Sequence, residues 1–99
     1  MEITHIVMIR FQKDFLTDEY FNYTTAVFHD MKEQIPGILS AKVRRNCIPR
    51  DGNYDVMIEM ELADASILSH YLGHPLHIAF ADSHKGKLVS RASFDYSAG

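Results

Sequence analysis

Glu2-Ile3-Thr4-His5-Ile6-Val7-Met8-Ile9-Arg10-Phe11 is the stretch on which the fold class turns. Successive side chains of a strand leave on opposite faces. Ile3, His5, Val7, Ile9 and Phe11 therefore share one face, and Thr4, Ile6, Met8 and Arg10 share the other. Both sets are largely apolar. Such a strand needs cover on both sides, one of them supplied by the domain's own helices. A chain of 99 residues is expected to find the second layer in another subunit. His5 lies midway along the better apolar face and is expected to point toward the helices.

Outward from this strand, Thr17 followed by Asp18 and Glu19 has the hydroxyl cap and acidic first turn of a helix N-terminus. Phe21, Thr24, Phe28, Met31 and Ile35 recur at three- and four-residue spacing, which predicts an amphipathic helix stopped by Pro36-Gly37. Residues 38 to 47 read as a second strand, with Leu39, Ala41 and Val43 apolar and Arg45 sharing their parity. Pro49-Arg50-Asp51-Gly52-Asn53 is a dense turn signal. Tyr54 to Leu62 alternates cleanly, Tyr54, Val56, Ile58, Met60 and Leu62 against Asp55, Met57, Glu59 and Glu61. Asp64 is placed to cap a second helix. Leu88 to Tyr96 forms the last strand, and Ser97-Ala98-Gly99 is expected to fray.

The order is β-α-β-β-α-β, which predicts a single α+β domain over residues 1–99. It is the ferredoxin-like split βαβ arrangement, a four-stranded antiparallel sheet with both helices on one face. Its bare face would carry Ile6, Met8, Met57 and Val89 beside Arg10, Glu59, Glu61 and Arg91. That mixture is too apolar to leave wet, so a two-fold partner laying its own sheet against this one is expected.

The second helix contains the densest chemistry, Ser69-His70-Tyr71-Leu72-Gly73-His74-Pro75-Leu76-His77-Ile78-Ala79-Phe80, with three of the six histidines. Pro75 lacks an N–H, so the helix should break near His74 and restart with Pro75 in its first turn. Tyr71, His74 and His77 are the groups such a break could gather around one cavity. A hydrogen-bonded core network with no catalytic role is the alternative for the same residues. His70, His74 and His77 also have a spacing that can hold a metal on a helix. Pro75 disrupts that register and no carboxylate or cysteine stands close, so no metal is expected. His29 is assigned no role.

Hydrophobic residues make up 46% and charged residues 23% of the chain, an ordinary globular balance. The net charge of −3 comes without a basic stripe, which argues against nucleic acid as a partner. No apolar run is long enough to span a bilayer, so no membrane partner is expected. Residues 1 to 5 lack the basic start and apolar run of a signal peptide. The single cysteine, Cys47, reads as a packing residue in a reducing compartment. A soluble cytoplasmic protein is expected.

Several segments resemble the stress-responsive A/B-barrel (Dabb) family across the whole chain and in order. They are His5-Ile6-Val7-Met8-Ile9-Arg10-Phe11, Gln34-Ile35-Pro36-Gly37, Arg50-Asp51-Gly52-Asn53-Tyr54-Asp55, Tyr71-Leu72-Gly73-His74-Pro75-Leu76-His77 and Phe94-Asp95-Tyr96. The resemblance implies a ferredoxin-like fold whose dimers form a barrel between two sheets. It is similar in its motif to plant polyketide cyclases of the olivetolic acid type, which work by aldol chemistry without metal or organic cofactor. By that likeness His77 would be the base, Tyr71 its partner, His5 the strand-one histidine and His74 the histidine before proline. The chain departs in its pocket walls: it has no Trp, and Phe28 stands where a pocket tyrosine would. That departure bears on the substrate more than on the chemistry.

The function expected is therefore a cofactor-independent cyclase or isomerase acting on a β-keto or aromatic small molecule. His77 serves as base, Tyr71 as oxyanion donor and His5 as the orienting group. His74, Val7, Ile9, Phe21, Phe28, Val56, Ile58 and Phe80 are expected to contact the substrate. The alternative is a non-catalytic dimer that binds a small apolar or aromatic molecule or serves a structural role.

Overall fold

A computed structural model describes residues 1–97. Four strands, β1 (Ile3–Phe11), β2 (Ile38–Arg45), β3 (Val56–Leu62) and β4 (Leu88–Ser97), form one antiparallel sheet in the order β2-β3-β1-β4. Three helices accompany it, α1 (Asp18–Gln34), α2 (Ser66–Leu72) and α3 (Pro75–Ser83), with a single 3-10 turn at Lys13–Phe15. The ferredoxin-like order is the one the sequence predicts, with its second helix cut in two. Of the expected frayed tail, Ser97 is the last residue of β4, and Ala98-Gly99 lie outside the described residues.

The central strand is β1, hydrogen-bonded to β3 on one side and β4 on the other. His5, Val7, Ile9 and Phe11 are buried, while the alternate residues Thr4, Ile6, Met8 and Arg10 are half-buried. Across the sheet the buried set meets Met60, Ile58 and Val56 of β3 in register. Helix α1 supplies Thr24, Phe28 and Met31 to this core. Its start is fixed as expected, because the Thr17 hydroxyl accepts the Tyr20 N–H at 3.2 Å. Its end passes into β2 through Gly37, whose φ is +96° and whose missing Cβ leaves room for Ile67. On β2, Arg45 shares the core-facing side with Ala41 and Val43. Its guanidinium reaches the rim instead, paired with Asp18 and lying 5.8 Å from the Phe21 ring centre.

Two expectations fail. Cys47 is exposed rather than packed. Strand β4 also presents the opposite face from the one expected, because Arg91, Ser93 and Asp95 pair with Ile9, Val7 and His5. Directly opposed residues point the same way, so Arg91 belongs to the helix-covered side. Ala92, Phe94 and Tyr96 pair with Met8, Ile6 and Thr4 and occupy the open face. The register shifts between Arg10 and Phe11, where Arg10 meets Ser90 and Phe11 meets Leu88. Val89 is the extra residue of this bulge, which turns Leu88 back to the inner side. No helix among the described residues is long and apolar enough to cross a membrane.

Candidate functional site

The site is made where the second helix breaks. In an unbroken helix the Leu76 N–H would bond the Leu72 carbonyl four residues back. Pro75 prevents this, α2 ends at Leu72, and His74 becomes the N-cap of α3. Its Nδ1 accepts the Leu76 N–H at 3.1 Å. The released Leu72 carbonyl is taken by His77 Nδ1 at 3.1 Å. A carbonyl can only accept, so Nδ1 of His77 carries the hydrogen. Nε2 is left as the atom with a free lone pair.

The restart of the helix turns His77 toward Tyr71, with ring centres 4.6 Å apart and edge-on. Tyr71 is 2% exposed and lies against Phe28. No described residue hydrogen-bonds its hydroxyl. From the sheet, His5 approaches Tyr71 at 5.6 Å between ring centres. Asp95, its register partner on β4, accepts from His5 Nδ1. The Asp95 carboxylate thereby fixes the His5 ring and leaves its Nε2 on the far side.

These groups surround a partly enclosed cavity of about 210 Å³ between the sheet and the broken helix. Val7, Ile9, Phe28, Ile58 and Phe80 line it together with His5, Tyr71 and His77. Three residues expected there lie elsewhere. His74 is spent on the helix cap. Phe21 packs beside Arg45 near the start of α1, and Val56 is buried in the core without lining this cavity. Among the described residues no three His, Cys, Asp or Glu side chains cluster as a metal would need.

Burial sets the protonation states. It pushes the Tyr71 phenol well above its ordinary range, against a smaller opposing pull from the Arg91 charge. It also lowers the His77 imidazole; the Leu72 hydrogen bond opposes this, while Arg91 and His5 add to it. Near neutral pH the cavity therefore holds an imidazole able to take a proton and a phenol able to donate a hydrogen bond.

Four polar residues of this cavity escape sequence reasoning: Arg91, Ser93, Asp95 and His84. The three on β4 follow from strand register, which the sequence leaves open. His84 is buried at the end of α3, where its Nδ1 donates to the Phe80 carbonyl at 2.7 Å. Its Nε2 has no partner among the described residues. The spacing of four between Phe80 and His84 was the available signal.

Residues 3–98 match the stress responsive A/B barrel domain, Dabb. The chain belongs to the Dabb family. Its fold is similar to that of a dimeric ferredoxin-like protein of unknown function from Bacteroides fragilis (22% identity, TM-score 0.83, covering 97% of this chain and 95% of that one). A Dabb family protein from Mesorhizobium loti is also similar (22% identity, TM-score 0.70, 99% and 97% covered). So is the hydroxynitrile lyase of Passiflora edulis (15% identity, TM-score 0.79, 96% and 91% covered). At these identities the likeness is one of fold. No curated protein sequence matches this Dabb chain.

Proposed function

We propose that this Dabb chain is a cofactor-independent acid–base enzyme acting on a small carbonyl compound with an acidic C–H, as a cyclase or isomerase. The observation that carries the reading is the meeting of His77 and Tyr71 in one cavity, with the His77 tautomer chosen by the Leu72 carbonyl. His77 Nε2 takes a proton from a carbon beside the carbonyl. The C–H electron pair passes to the carbonyl oxygen, and the Tyr71 hydroxyl donates a hydrogen bond to the resulting enolate. Attack of the enolate carbon on a second carbonyl forms the C–C bond. The His77 imidazolium then returns its proton to the new alkoxide, so the cycle is balanced. His5, held by Asp95, orients the reacting groups from the sheet side. A cavity of about 210 Å³ is smaller than the ~300–1,000 Å³ of drug-sized sites, which favours a compact substrate.

The same proposal includes a homodimer formed through the open sheet face. One fold relative is described as dimeric, and exposed Phe94 and Tyr96 stand there beside half-buried Ile6 and Met8.

The test is proton exchange. In deuterated buffer the protein should accelerate exchange at the central carbon of acetylacetone, read by NMR. His77→Gln should lower that rate by roughly 10²–10⁴-fold and Tyr71→Phe by about 10²-fold. Rates unchanged in both variants would leave the non-catalytic binding dimer as the better description.

A further inference from the structure

Arg91 is the charged cavity residue that acid–base chemistry alone does not require. Its partner in the ladder is Ile9, so its side chain leaves the sheet on the helix-covered side, at the cavity mouth between Leu88 and Ser93. The neighbouring core residues Val7 and Ile9 are buried and apolar. Two arginines outside this cavity are engaged, while Arg44 and Arg50 are unpaired among the described residues but do not line it. Arg10 donates to the Asp51 and Asn53 carbonyls and lies over Tyr54, and Arg45 pairs with Asp18. Among the described residues Arg91 has neither a hydrogen bond nor an ion pair. The one carboxylate facing the same cavity, Asp95, is committed to His5.

We infer that Arg91 is the anchor for a carboxylate of the substrate, so that the ligand is a small oxo acid held with its carbonyl at Tyr71 and its acidic carbon at His77. This rests on the acid–base reading of the same cavity and adds the class of molecule that enters it. A guanidinium presents two parallel N–H donors, which match one carboxylate in a fork. A lone arginine beside the Asp95 carboxylate suits a single negative charge better than a phosphate dianion. The guanidinium's field reaches both Tyr71 and His77. The charge that holds the acid would then also favour the enolate as it forms. Arg91 lies at the exposed rim, so an acid can exchange its hydration for the fork without crossing the core.

Acetoacetate and its methyl ester make the comparison, since they differ in the charge and little else. Binding is read from the His77 and Tyr71 ring signals by NMR, independently of turnover. The acid should bind at least tenfold more tightly than the ester, and Arg91→Leu should erase that difference while leaving the ester's affinity unchanged. Arg91→Lys, which keeps the charge without the fork, should recover part of it. Inorganic phosphate at equal ionic strength should displace the acid no better than chloride. Equal binding of acid and ester, an Arg91→Leu variant that still prefers the acid, no binding of either, or tighter binding of phosphate would each overturn the assignment. The two readings separate cleanly. Selective acid binding without exchange at the central carbon would sink the enzyme but keep the anchor, and exchange indifferent to charge would do the reverse.

Discussion

At the scale of single residues, one buried and one half-buried imidazole make stability depend on pH. The folded chain lowers His84 through burial, opposed by the Phe80 hydrogen bond and reinforced by the charges of Lys87 and Arg91. It lowers His77 in the same direction. An unfolded histidine titrates near ~6.5. Below that pH the unfolded chain binds more protons than the folded one, so stability falls as pH drops and is regained above it. Each group contributes at most about 1.4 kcal/mol per pH unit over its window. His84→Phe places a ring among Phe11, Tyr20 and Phe80, which already surround it. Urea midpoints measured from pH 7.5 to 5.5 should fall less steeply in that variant than in the wild type. Parallel curves would mean that His84 is protonated without cost in the folded state.

At the scale of elements, the broken helix assigns two histidines different work. His74 holds the start of α3 and His77 faces the cavity. Loss of a cap costs about 0.5–2 kcal/mol, so His74→Ala should lower the melting temperature while exchange activity stays within a few-fold of wild type. A loss of activity as deep as that of His77→Gln would move His74 into the chemistry. The break itself was legible because Pro75 has one physical meaning inside a helical pattern. The strand faces were less so. The alternation in β1 and β3 is strong, and their observed burial follows it. In β4 both sets are mixed, and Phe94 and Tyr96 look like core residues by type. The extra residue at Val89 then reverses parity between Leu88 and the rest of the strand. Neither the bulge nor the register is written in local residue preferences, so Arg91 and Asp95 could not be assigned to the cavity from sequence.

At the scale of the molecule, the sheet works on both sides. Its inner face builds the cavity, and its outer face exposes Phe94 at 64% and Tyr96 at 44%. Apolar surface of this kind on a small domain gains from a partner. Light scattering should give twice the 11.4 kDa of the chain, and Phe94→Glu should shift the population toward monomer. A wild-type protein that stays monomeric at high micromolar concentration would count against the barrel. Strand β1 serves both faces at once, with Ile6 and Met8 turned outward and His5, Val7 and Ile9 turned inward. A slip of one residue would exchange the two sets wholesale. The strand has no halfway setting, so whatever fixes its alignment governs the proposed self-association and the proposed chemistry in a single stroke, and neither can drift without the other.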